Sequence, residues 1–294
     1  MNKVGFIGVG IMGKSMVRNL MKAGFELHIY ARTKSKVEDV ISEGAQFHES
    51  IKDCVQDCDA VITIVGFPQD VEEVYFDEGN ILDSAKEGAY LIDMTTTSPQ
   101  IAEKIYAEGT KRSFHVMDAP VTGGDTGAKA GTLSILVGGE KEDYEACMPL
   151  FEAMGTNINY QGKAGCGQHC KLANQIMIAG TLSGVCEALT YAKEQGLDPE
   201  VFMKSVATGA AGSKQLDTFG PKILKDDYAP GFFMKHFIKD MKLALIEANR
   251  KGLSLDVLSM VLANYEELEQ EGYGDLGTQA LMKFYDEEHR NTEE

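Results

Sequence analysis

Seven short apolar runs punctuate the chain up to about residue 160: KVGFIG, ELHIYA, AVITIV, AYLIDM, FHVMDAP, LSILVG and NINYQG. They are rich in β-branched and aromatic residues and predict strands. Several are almost continuously apolar, as strands are when helices cover both faces of a sheet. Between most of them, apolar residues recur at helical spacing, as in Met12–Ala23 and Ile101–Glu108. Strands alternating with helices predict βαβ units and a mainly parallel sheet.

After Gly162 the rhythm changes. No further strand is predicted, and helical periodicity covers Gly167–Glu194, Pro199–Ala207, His236–Arg250, Val257–Gln270 and Thr278–Tyr285. The expected architecture is α/β: a Rossmann-type, doubly wound, mainly parallel sheet at 1–162, then an all-α domain at 163–294. A chain of 294 residues suits two such domains.

Composition narrows the function. The formal net charge is −17, which argues against nucleic acid, because phosphate neutralisation needs clustered Lys and Arg. No run of eighteen apolar residues occurs, so no membrane span is expected. The start MNKVGFIGVG lacks the pattern of a secretory leader. The six cysteines form no paired CxxC, which suits free thiols and a reducing compartment, so a cytoplasmic location is expected. CGQHC offers only a C-x3-C spacing with no second ligand pair, and no metal site is expected.

VGFIGVGIMGKSM carries GxGxxG at Gly8, Gly10 and Gly13, between a strand pattern and a helix pattern. That context makes it a dinucleotide-binding turn. Gly8 permits the turn, Gly10 lets a pyrophosphate approach, and Gly13 lets the helix pack on the strand. Ile11 and Met12 open the helix whose N–H groups would face the phosphates. NAD-binding versions place an acid about 20 residues further on. Here HIYARTKSK sets Arg32 and Thr33 at that place, with Lys34 and Lys36 beside them. Arg32 suits a 2′-phosphate, so NADP is preferred, with NAD as the alternative.

A second glycine loop, MDAPVTGGDTGAKAGTL, sets Thr122, Gly123 and Gly124 after a strand, where a hydroxyl and exposed N–H groups can hold a carboxylate. Taken alone it is equally a plain connecting loop. GCGQHCKLANQ contains one formal positive charge, Lys171, in a segment that otherwise reads as buried. A snorkelling surface lysine and a proton-transferring one both fit that pattern.

In order, GFIGVGIMGKSMVRNL, DAPVTGGDTGAKAGTL, GCGQHCKLANQ and KDMKLAL resemble the blocks of the β-hydroxyacid dehydrogenase family, which includes 3-hydroxyisobutyrate dehydrogenase and the tartronate and glyoxylate/succinic semialdehyde reductases. The resemblance spans Gly5 to Leu245. It implies that Thr122, Gly123 and Gly124 bind a substrate carboxylate and that Lys171 is the acid/base, assisted by Asn174. It implies that Lys239 contacts substrate or cofactor, supported by Asp240. Thr96 would lie near the nicotinamide, and Val65 and Gly66 would line the adenosine-ribose side. Two positions depart from the pattern: Thr122 stands where the family often has Ser, and Gln175 where it often has a second Asn.

The expected activity is NADP-dependent interconversion of a small β-hydroxyacid and its semialdehyde or keto acid by a homodimer or homotetramer. An imine reductase is the first alternative, and Lys171 argues against it. A non-catalytic reader of dinucleotide or of a partner is the second, opposed by the retained lysine and Thr-Gly-Gly loop. Decarboxylating 6-phosphogluconate chemistry fits less well, since those relatives carry a larger C-terminal domain.

Overall fold

A computed structural model describes residues 1–285; the last part of the expected helical domain, 286–294, lies outside the described residues. Two compact units emerge, Met1–Lys171 and Leu172 onward. The first unit runs on past Gly162 into the helix Cys166–Glu194. The reason is local: the first turn of the helix Cys166–Glu194 is bonded to the sheet, through Asp118 and Gln168.

The first unit holds nine strands: β1 Lys3–Ile7, β2 Glu26–Tyr30, β3 Gln46–Phe47, β4 Ala60–Thr63, β5 Tyr90–Asp93, β6 His115–Asp118, β7 Val121–Thr122, β8 Leu133–Gly138 and β9 Gly155–Gly162. Their order is β3-β2-β1-β4-β5-β6-β8-β7, with β9 also on β8. The six strands from β3 to β6 run parallel, and β8 is antiparallel to β6 and β7. The expected doubly wound sheet is present, and the order of those six strands is that of a dinucleotide-binding fold. Two strands escaped the sequence pattern, β3 and β7, each of two residues.

Alternation along the strands splits the core. Val4 and Phe6 of β1, Ile62 of β4 and Ile92 of β5 pack on one face with Met16, Val17 and Leu20 of the helix Ile11–Lys22. Ile7, Val61 and Leu91 pack on the other, with Val55, Val71 and Tyr75. Burying both faces explains the near-continuous apolar runs. A side chain as fully buried as Phe6 contributes about 1.5–3 kcal/mol.

In the second unit, the helices Pro199–Val206, Met234–Arg250 and Asp256–Gln270 match the expected ones to within two residues. Thr278–Tyr285 is a 3₁₀ helix rather than an α-helix, and the helix Lys214–Ile223 was not anticipated. The core gathers Leu172, Leu182, Leu189, Phe237, Met241, Val261 and Leu268 around Tyr265. The Tyr265 ring meets Phe237 edge-on at 5.4 Å, and its hydroxyl donates to the Thr278 carbonyl at 2.7 Å.

The helix Cys166–Glu194 is long and apolar enough to cross a membrane by length and composition alone, although it contains no unbroken run of eighteen apolar residues. Part of its surface packs as core. Leu172, Ala179, Leu182, Cys186 and Leu189 are buried in the second unit, and Gln168, Lys171, Gln175 and Ser183 are buried polar groups on the same helix.

Candidate active site

One row of register partners crosses the sheet: Tyr30, Ile7, Thr63, Asp93, Asp118 and Gly138. In the parallel strands it marks the carboxyl edge, where open α/β sheets bind their ligands. The loops that leave this edge carry the first-half candidates.

Gly8, just past β1, has φ of 96°, and a Cβ there would lie 2.1 Å from the Ile64 carbonyl oxygen. A Cβ on Gly13 would lie 2.2 Å from the Gly8 oxygen. Gly10 differs, because a Cβ there meets nothing within 4 Å. The first and third glycines are thus required by the protein's own packing, and the second faces open space. Gly10 is also the N-cap of the helix Ile11–Lys22, with no side-chain cap and no acidic residue in the first turn. Uncapped N–H groups and an open approach at Gly10 form the cradle that a pyrophosphate requires. The residues present fit a dinucleotide.

Arg32 lies exposed beyond β2, and its Nη1 is 3.2 Å from Asp70 Oδ1. Asp70 is itself fixed, since its other oxygen accepts the Phe67 N–H at 2.9 Å. Sequence reading missed this acid, although its place three residues after Phe67 is capping-box spacing. Thr33 is the exposed N-cap of a short 3₁₀ turn. Lys34 turns toward Glu49 at 3.3 Å and lies over the Phe47 ring.

The Val65 N–H donates to Thr95 Oγ1 at 2.9 Å, which joins the loop after β4 to the loop after β5 that carries Thr96. Beneath them, Asp93 Oδ1 accepts from Thr63 Oγ1 at 2.8 Å and from the Thr95 N–H at 3.1 Å, and Tyr75 OH is 3.1 Å from the same Thr63 oxygen. Burial pushes the Asp93 carboxyl up to about 6. The two threonine contacts oppose that rise, and the charge of Asp118 adds to it. Burial likewise raises Asp118, against the N–H donors of Gly165 and Gln168. Neither carboxylate was foreseen. Their only signal was an Asp at the end of two successive strand patterns, IDM and MDA.

Thr122 ends β7, and Gly123 and Gly124 follow with φ of 133° and 64°, values that side chains disfavour. Gly124 opens onto free space. Lys171 is 7% exposed on the long helix. Asn174, three residues on, falls on the same face.

In the second unit the candidates form a chain of contacts. Asn174 Nδ2 donates to Gln175 Oε1 at 2.8 Å, and Gln175 Nε2 donates to Asp240 Oδ2 at 2.6 Å. Asp240 Oδ1 is 2.9 Å from Lys239 Nζ. Asp240 is 0% exposed and Gln175 2%. Gln175 thus bridges Asn174 to Asp240. Among the described residues, no group of three His, Cys, Asp or Glu could hold a metal ion. All six cysteines are free, and Cys54, Cys58, Cys147 and Cys186 are buried.

Residues 3–162 match the family model for the NAD-binding domain of 6-phosphogluconate dehydrogenase, and residues 165–285 match the NAD-binding model of NADP-dependent 3-hydroxyisobutyrate dehydrogenase. This chain belongs to the β-hydroxyacid dehydrogenase family. A probable 3-hydroxyisobutyrate dehydrogenase-like protein of Arabidopsis thaliana is 44% identical over 95% of this chain and 84% of its own. The 2-hydroxy-3-oxopropionate reductase of Escherichia coli is 37% identical over 86% of each. The structure of 3-hydroxyisobutyrate dehydrogenase from Mycobacterium tuberculosis with L-serine superposes with a TM-score of 0.88, at 26% identity, over 96% of this chain and 98% of that one. These likenesses support NAD(P)-dependent hydroxyacid dehydrogenase activity on small substrates.

Proposed function

We propose that this chain is an NADPH-preferring reductase of a small carboxylate-bearing semialdehyde or keto acid, with Lys171 as the acid/base. The observation that carries this reading is the burial of Lys171 to 7% exposure on a helix whose first turn is bonded to the carboxyl edge of the sheet. A charged lysine is costly to bury and is seldom placed there without a task.

When bound, the reduced nicotinamide supplies the hydride. The substrate carbonyl then becomes an alkoxide and must gain a proton within hydrogen-bond reach. Lys171 donates that proton from its ammonium group, which also stabilises the developing negative charge. In the oxidative direction the neutral amine takes the proton back. Asn174 orients the reacting oxygen or the amine from one turn further along. Asp240 holds Asn174 through Gln175, and its other oxygen fixes Lys239, the further candidate for a substrate or cofactor contact. The N–H groups and hydroxyl of Thr122, Gly123 and Gly124 receive the substrate carboxylate.

Gly8, Gly10, Ile11, Met12 and Gly13 hold the pyrophosphate. Val65 and Gly66 line the adenosine ribose, and Thr96 approaches the nicotinamide. Arg32, fixed on one side by Asp70 and otherwise exposed, supports a 2′-phosphate contact with Thr33 beside it. Met177, Tyr191, Val257 and Met260 are large exposed apolar residues of the second unit and support a homodimer or homotetramer. The six free thiols support a cytoplasmic location.

The test is a panel of glyoxylate, succinic semialdehyde and tartronate semialdehyde, assayed with both NADPH and NADH. Turnover of at least one acid, with the higher kcat/KM for NADPH, is expected. Tight NADPH binding without turnover of any small acid would refute the reading in favour of a non-catalytic binder.

A further inference from the structure

Gln168 has no part in the chemistry above, yet its side chain is 0% exposed and both ends of its amide are engaged. Its Nε2 donates to the Thr95 carbonyl at 2.7 Å, and its Oε1 accepts the Thr97 N–H at 3.0 Å. The amide therefore clamps the backbone on either side of Thr96. Its own N–H donates to Asp118 Oδ2 at 2.8 Å, while Asp118 Oδ1 accepts the Gly165 N–H at 2.7 Å. That carboxylate holds the start of the helix on the end of β6. Close approach reinforces the attachment, since a Cβ on Gly167 would meet the Leu136 oxygen at 2.4 Å and the Asp118 oxygen at 2.7 Å. Lys171 lies three residues beyond Gln168, on the same helix face.

We propose that Gln168 is a positioning residue, whose forked amide locks the Thr96 loop to the helix turn that carries Lys171 and so sets the proton donor relative to the nicotinamide side of the cofactor. This rests on the assignment of Lys171 as acid/base and of Thr96 to the nicotinamide. A glutamine suits the task because its amide offers a donor and an acceptor side by side at every working pH. Misplacement by about 1 Å costs on the order of 100-fold in rate.

The experiment compares the parent, Gln168→Leu, Gln168→Glu and Lys171→Ala in full-length protein, with the substrate that turns over fastest. Gln168→Leu should lower kcat on the order of 100-fold while KM moves by less than about threefold. Gln168→Glu gives a signature that a packing defect would not. An ionised carboxylate accepts the Thr97 N–H but turns its second oxygen on the Thr95 carbonyl. The protonated acid restores both bonds. A buried glutamate titrates above the ordinary carboxylate range. The kcat of Gln168→Glu relative to the parent should therefore climb as pH falls from about 8 to about 5.5. Flat relative kcat in Gln168→Glu, or parent-like kcat in Gln168→Leu while Lys171→Ala is inactive, overturns the clamp alone. Parent-like turnover in Lys171→Ala overturns the acid/base assignment and the clamp with it.

Discussion

Asp93→Asn should change how the stability of this protein depends on pH. Asp93 is fully buried at the end of β5, and its carboxyl is raised from an ordinary 3.8 to about 6. At about 1.4 kcal/mol per pH unit, that rise corresponds to about 3 kcal/mol. The sign follows from the direction. A carboxyl raised by folding favours the folded state when protonated, so its contribution is fully present below pH 3.8 and is lost as pH rises through about 6. About half of the loss, on the order of 1–2 kcal/mol, falls between pH 5 and 8.

The asparagine keeps the useful acceptor, because its amide oxygen can take the Thr63 and Thr95 hydrogen bonds. Its NH2 replaces Oδ2, which has no hydrogen-bond partner in the parent. That buried donor costs about 1–3 kcal/mol, equally at every pH. Urea unfolding of parent and variant at several pH values from 5 to 8 reads the slope directly. The parent should lose about 1–2 kcal/mol more than Asp93→Asn over that span. A constant offset between the two proteins would refute the reasoning, since Asp93 would then titrate alike in the folded and unfolded states.

Arg32→Asp should raise the KM for NADPH on the order of 10- to 100-fold, the worth of one charge-assisted contact of about 1.5–3 kcal/mol, and leave the NADH value nearly unchanged. Equal changes for the two cofactors in steady-state assays would remove Arg32 from specificity. Asp240→Ala leaves the Lys239 ammonium, whose side chain is 12% exposed, without its carboxylate, and strips Gln175 of its acceptor. It should cost about 3–5 kcal/mol in denaturant unfolding, as breaking a buried ion pair does. A loss no larger than that of an ordinary surface substitution would show that the Asn174–Gln175–Asp240–Lys239 chain bears little weight.

Local chemistry made much of the fold legible. The seven strand patterns and the glycine turn were readable because β-branched runs and a fixed glycine spacing are short-range signals. The two-residue strands β3 and β7 carry no period to read. The helix Lys214–Ile223 contains Gly220 and Pro221, which argue locally against a helix that tertiary packing nonetheless retains. Thr278–Tyr285 has helical apolar spacing, yet it closes as 3₁₀. The first unit extends into the lysine helix because that helix begins on the first unit's sheet.

Among the candidate site residues, Lys171, Asn174 and the two glycine loops were visible as motifs. Gln168, Asp118 and Asp93 were not, because most of their side-chain partners lie far away in sequence. Gln168 reaches Thr95 and Thr97 across 73 and 71 positions. Gln175 stood out as a departure from the family pattern, and the structure gives it a definite task, bridging Asn174 to Asp240.

The most direct test is the kcat of Lys171→Ala beside the parent, with NADPH and the fastest substrate of the panel, and with NADPH affinity measured independently by fluorescence. A lost general acid predicts kcat lower by about 100- to 10,000-fold with NADPH Kd within about threefold of the parent. Parent-like turnover without the lysine would contradict the account.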